Sequence, residues 1–133
     1  MALLIAERIR KREFGKEISS ADKDSLLDGA RVALTETIAG RGLPAGTKLL
    51  KAYATTKQGP RRILYLLLVR EGDLFVLFYR TKDDVVGANM SPTNPSFNAA
   101  LAKHLDLLRK DLASGKIEEI VRASDIPAGE APG

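Results

Sequence analysis

Between Gly46 and Lys82 the chain reads GTKLLKAYATTKQGPRRILYLLLVREGDLFVLFYRTK, and its apolar positions fall into three runs. The first, Thr47 to Thr56, alternates: in a regular strand Lys51, Tyr53 and Thr55 share one face, and Lys48 has the opposite parity. The second, Arg62 to Val69, is apolar at every position after its arginine, which fits a central strand covered on both faces. The third, Leu74 to Tyr79, is similar. The tetrapeptide Arg70-Glu71-Gly72-Asp73 between the last two runs is a hairpin signal. Lys57-Gln58-Gly59-Pro60 between the first two brings Gly and Pro together and predicts a break in regular structure.

Around this sheet the periodicity turns helical. Leu26, Leu27, Ala30, Ala33, Leu34 and Ile38 recur at three- and four-residue spacing, so a helix with one apolar stripe is predicted over 20–39. Ser19-Ser20 caps its start, Asp22 and Asp24 suit its dipole, and Gly40 and Gly42 end it. A second helix opens at Asn94-Pro95, a cap followed by proline at the first helical position. Its stripe is Leu101, Leu105, Leu108 and Leu112, and it ends at Ser114-Gly115. Leu3 to Ile9 fits either an edge strand or a first helical turn, and Ile117 to Val121 is a short apolar run without a clear period. The fold class predicted is α+β, with helices packed on an antiparallel sheet of three to four strands. The chain divides into one domain, 1–122, and a Pro-, Gly- and acid-rich tail, 123–133.

Composition narrows the chemistry. The chain has 133 residues, no cysteine and one histidine. That removes disulfides, thiolate ligands and thiol nucleophiles, and it argues against a histidine-rich metal site. No cofactor and no metal is expected. The apolar runs fall short of the roughly 18 residues that a membrane span needs. In MALLIAERIRKR the charges follow the apolar run rather than precede it, so a cytoplasmic protein with no membrane partner is expected. The net charge is +4, and its placement matters more than its size. The segment from Gly46 to Lys82 holds eight basic side chains against two acidic ones, net +6, which leaves −2 for the rest. That concentration on the predicted sheet points to a polyanionic partner. Arg8, Arg10, Lys11, Arg12 and Lys16 form a second basic cluster, read as an exposed face with snorkelling side chains.

The candidate site is therefore the set of basic side chains at the strand ends. RNA cleavage through its own 2′-hydroxyl needs a base, a cation to stabilise charge developing on phosphorus, and an acid for the leaving oxygen. Arg and Lys supply the cation. The base would be a lysine of lowered pKa or a tyrosine such as Tyr53 or Tyr79. His104 lies one position off the leucine stripe and is read as solvent-facing or partly packed; it could act as a base if it faced the sheet. The acid pairs Asp83-Asp84 and Glu118-Glu119 are read as surface residues, because neighbours on a strand point apart.

The order of helix, glycine-rich turn, K-x-x-K-x-Y, G-P-R-R into an apolar strand, hairpin, and F-Y-R-T-K resembles the RelE/ParE toxin superfamily, and within it the HigB-like branch. The resemblance covers Arg12 to about Asn89. It implies a small RelE-like fold, mRNA cleavage at the ribosome with inhibition of translation, and neutralisation by a cognate antitoxin protein. Carried over, Lys48 and Lys51 match basic positions of the first hairpin strand, Arg62 the arginine that opens the central strand, and Arg80 the basic residue after the last. Lys51, Arg62 and Arg80 are thus the expected catalytic residues. Lys48, Lys57, Arg61, Lys82, Tyr53 and Tyr79 are the expected substrate-binding residues. The tract after Lys82 is longer than the family pattern and lacks the aromatic or His that many members place near the sheet. Two other readings share the same residues: a non-catalytic protein of this fold, such as a topoisomerase poison or protein-binding module, and a non-toxic nucleic-acid-binding domain.

Overall fold

A computed structural model describes residues 2–33 and 37–122. In chain order the elements are β1 (Leu3–Ala6), α1 (Glu7–Phe14), α2 (Ser20–Ala33), β2 (Thr37–Ile38), β3 (Thr47–Thr56), β4 (Gly59–Leu68), β5 (Asp73–Arg80), α3 (Pro95–Ser114) and β6 (Ile117–Glu119). The fold is α+β. Its sheet has six strands in the order β2-β3-β4-β5-β1-β6. The expected three to four antiparallel strands are the middle of it. The additions are three short strands, and β1 runs parallel to β5. β2 and β1 join because β3 and β5 each leave a row of unpaired backbone groups along an edge, and β6 then pairs with the free edge of β1.

The two long helices cover opposite faces. Tyr65 is fully buried and donates its hydroxyl to the Leu26 carbonyl of α2 at 2.6 Å. Gly29 of α2 sits so close that a Cβ there would lie 2.6 Å from the Tyr65 hydroxyl and 3.0 Å from Ile63. Leu64 and Leu66, of opposite parity, face α3, where Phe97, Leu101, Leu105 and Leu108 are buried. This double cover is why β4 and β5 read as unbroken apolar runs.

Several expectations hold. The β3 bounds agree, and Ser19 accepts from the Asp22 amide at 3.1 Å. Asn94 caps α3 by accepting from the Ser96 amide at 3.1 Å, and Gly115 ends it in the left-handed conformation. Others are corrected. The α2 helix ends at Ala33, and Thr37–Ile38 is an edge strand rather than the end of a helix; both residues are β-branched and fit a pleated edge. Leu34, assigned to the helical stripe, and the tail 123–133 lie outside the described residues. Lys57 and Gln58 alone turn the chain between β3 and β4, and Pro60 lies inside β4 opposite Thr55. It is tolerated because β5 stops opposite Arg62 and asks for no donor beyond that point. Leu112 is exposed, and Leu107 is buried in its stead.

One irregularity in β5 sets which way its last residues point. Leu64 pairs with Phe78, but Tyr65 pairs with Val76, so Leu77 is an extra residue in the strand. This bulge shifts the phase of the side chains beyond it. Phe78 and Arg80 come onto the α3 face, and Tyr79 onto the α2 face.

Candidate functional site

The β-bulge sets Arg80 directly opposite Arg62, and Arg62 is directly opposite Tyr53. Three adjacent strands thus carry Tyr53, Arg62 and Arg80 in one row on the α3 face. Lys51 lies two residues from Tyr53 on that face. Tyr53 is 58% exposed, and β2 pairs only with Leu49 and Leu50, so the edge of β3 at Tyr53 is also open among the described residues. Lys51 Nζ lies 5.4 Å, and Arg62 Cζ 5.7 Å, from the Tyr53 ring centroid. Arg62 also donates to the Gly87 and Ala88 carbonyls at 2.7 and 2.9 Å, which anchors it to the loop after β5. Lys51, Tyr53 and Arg62 therefore form a cation–aromatic cluster at an uncovered end of the sheet.

Like charges directly opposite on neighbouring strands repel. The chain answers this at Arg80. Its Nε and Nη2 bind both oxygens of Glu13 at 2.8 and 2.7 Å, and its Nη1 lies 3.2 Å from Asp84. The Glu13 side chain is fully buried and also accepts the Tyr79 amide hydrogen at 2.8 Å. Arg80 thus shares the row with Arg62, but two carboxylates neutralise its charge. Asp84 is no idle surface acid. Burial works against its charge, yet the Gly87 and Val86 amides and Arg80 hold its pKa below the ordinary carboxylate value. In doing so it folds the loop that Arg62 grips.

His104 corrects its expected exposure. It is fully buried and stacks on Phe78 with centroids 4.6 Å apart. Its Nδ1 lies 2.7 Å from the Leu77 carbonyl, which can only accept, so Nδ1 carries the proton. Its Nε2 then accepts from Arg12 Nε at 3.3 Å. Burial first of all, with Arg12 and Arg80 adding to it, holds its pKa below the ordinary value. Both nitrogens are occupied, so this histidine supports the bulge instead of facing a substrate. Tyr79 is also unsuited to be a base. Burial and the Asp22 carboxylate it donates to push its pKa up to about 12.

The remaining expected residues separate by parity. Arg61 and Tyr79 lie on the α2 face, with the Arg61 guanidinium 5.9 Å from the Tyr79 ring centroid, and Lys57 stands at the hairpin turn beside them. Lys48 is exposed on that face near the other end of β3, and Lys82 is exposed beyond β5. The basic cluster of α1 is largely paired: Arg8 with Asp111, Arg10 with Glu118, Lys11 with Glu7. Arg10 is buried, against its expected exposure. Glu118 is correspondingly an ion-pair partner. Glu13 and Asp84 are the polar residues that sequence reasoning missed. Their spacing from Arg80 carries no signal for Glu13, although Asp84 sits at i+4.

Among the described residues no group of three or more His, Cys, Asp or Glu is placed to hold a metal ion, and no helix is long and apolar enough to cross a membrane. No protein-family model, curated protein or solved structure matches the chain.

Proposed function

We propose that this chain is a RelE/ParE-like toxin that cleaves mRNA on the ribosome, with the Lys51–Tyr53–Arg62 cluster as its RNA site. The observation that carries the reading is the gathering of two cations around one exposed aromatic ring at the uncovered end of the sheet. Such a cluster suits single-stranded RNA: a base stacks on the ring and the cations take the adjacent phosphate. In the reaction proposed, the 2′-oxygen attacks phosphorus and the 5′-oxygen leaves, giving a 2′,3′-cyclic phosphate and a free 5′-hydroxyl. Arg62 stabilises the extra negative charge on the phosphoryl oxygens. Lys51 and Tyr53 are the groups near enough to exchange protons. Arg80 acts through its neighbours, holding Glu13 and Asp84 and so the loop on which Arg62 rests. A cognate antitoxin would neutralise the toxin by covering this row.

Translation of a reporter mRNA in a cell-free extract, with mapping of RNA ends, tests the proposal. The chain is expected to cut the message only when ribosomes engage it, and Arg62→Ala to lower the cleavage rate by about 100-fold. An intact message at full translation would overturn it. One observation favours a second reading, an RNA-binding domain without cleavage: His104 and Tyr79, two of the possible bases, are both committed elsewhere. The same experiment separates the two, since that domain binds RNA and leaves it whole.

A further inference from the structure

On the opposite face of the sheet, beneath the same hairpin, lies a groove of about 430 Å³ between α1, the start of α2 and the turn at Lys57. Its cations are Lys16, Lys57 and Arg61, and none of the three pairs with a carboxylate among the described residues. Its floor is built. The Phe14 and Tyr79 rings stack with centroids 5.1 Å apart, and the Arg61 guanidinium lies over Tyr79. Tyr79 is itself fixed by donation to Asp22 at 2.8 Å, and that bond uses one oxygen of the carboxylate. The other lining carboxylate, Glu13, is neutralised by Arg80. The groove therefore presents positive charge over a rigid aromatic floor.

We propose that this groove is a second RNA contact site, which takes phosphates of a strand that has passed round the hairpin from the Lys51–Tyr53–Arg62 cluster. The inference rests on the RNA-binding reading above and extends it. Arg61 and Arg62 are consecutive in β4, so their side chains leave opposite faces of one strand. Lys57, at the turn between β3 and β4, lies on the path joining them. The two sites differ in kind. Tyr53 is exposed and offers a ring for a base, whereas Tyr79 is 8% exposed and offers none. The groove offers its three cations to backbone phosphates, and it adds affinity only for a strand long enough to reach it.

Fluorescence anisotropy of the full chain with labelled single-stranded RNAs of roughly 4 and 12 nucleotides, within the span of known single-strand sites, tests this. The variant K16Q/K57Q/R61Q keeps the side-chain stems and removes the charges. It is expected to bind the short RNA like the parent, which also reports intact folding. It is expected to bind the long RNA about tenfold or more weakly, with the slope of log K against log salt shallower by about 2, at ~0.7 per lost phosphate contact. The variant K51Q/R62Q is expected to weaken both lengths. Equal binding of the long RNA by K16Q/K57Q/R61Q and parent would overturn the second site, and loss in K51Q/R62Q would leave the first reading standing. If K16Q/K57Q/R61Q weakened both lengths alike, the two-site arrangement would also fall. Failure of the parent to bind either RNA would overturn the second site, while cleavage in the cell-free extract decides the first reading by itself.

Discussion

Lys51 and Arg80 carry the same charge on the same face of the sheet, yet their surroundings give them different work. Lys51 is half-buried beside an exposed ring and makes no ion pair among the described residues. Arg80 holds a fully buried carboxylate with two hydrogen bonds. Removing a surface cation away from such features shifts stability by about 0.5 kcal/mol at most. Removing one partner of a buried pair leaves the other charge uncompensated, at a cost of several kcal/mol. Lys51→Ala is therefore expected to leave the urea midpoint almost unmoved while it weakens RNA binding. Arg80→Ala is expected to lower stability by about 3 kcal/mol, at the low end because Arg80 keeps a quarter of its side chain in solvent and Asp84 is only one of its partners. Loss of activity in Arg80→Ala then reports on folding as much as on chemistry, and the unfolding curve shows which. From the sequence both residues look like equivalent site cations. The difference depends on Glu13, which lies 67 residues from Arg80 and has no neighbour in sequence to announce it.

The α1 helix begins at a terminus that a distant segment completes. Ala6 precedes α1 and has no side chain to cap it. Asp111, near the end of α3, accepts the Arg8 amide hydrogen at 2.9 Å, and the Glu7 amide donates to the Lys116 carbonyl at 3.1 Å. The Asp111 side chain is fully buried, and its second oxygen lies 3.3 Å from Arg8 Nε. It is a cap lent by a distant element, and it fastens the start of α1 to the end of α3. Asp111→Ala is expected to cost about 1–2 kcal/mol, in line with loss of an N-cap. Hydrogen exchange would locate the damage, with the first-turn amides of α1 losing protection before those of β4. Ser19 and Asn94 cap their own helices by short-range bonds, so α2 and α3 start where a local reading puts them. The α1 helix escapes such a reading because its cap is not local.

The molecule as a whole divides its polar interior from its charged exterior. Glu13, His104 and Asp111 have fully buried side chains, while Lys51, Lys57, Arg61 and Arg62 stand round the β3–β4 hairpin without a carboxylate partner among the described residues. His104 links this interior to global stability. Its folded pKa lies below the ordinary value near 6.5, chiefly through burial. The unfolded chain therefore takes up a proton on this residue more readily than the folded one. Its contribution to stability is complete above about pH 6.5 and is lost as pH falls toward the folded pKa, at no more than ~1.4 kcal/mol per pH unit. Unfolding free energies across pH 7 to 5 are expected to fall for the parent and to run flatter for His104→Gln. Parallel curves for the two proteins would contradict the assignment of a neutral, sealed histidine.

Local chemistry is enough to place the strand at Thr47–Thr56, the apolar centres of β4 and β5, the two caps at Ser19 and Asn94, and the positive charge around the hairpin. Alternation, capping and turn formation act over a few residues, and those residues are adjacent in the chain. Tertiary structure alone decides that β1 lies parallel to β5, that Leu77 bulges to bring Arg80 opposite Arg62, and that Glu13 and His104 take up the Tyr79 and Leu77 backbone groups of β5 past the end of its pairing with β1. Each of these depends on which edge a distant segment happens to meet. A one-residue change of phase turns every later side chain of a strand to the other face, and no pattern along β5 distinguishes the bulged phase from the regular one.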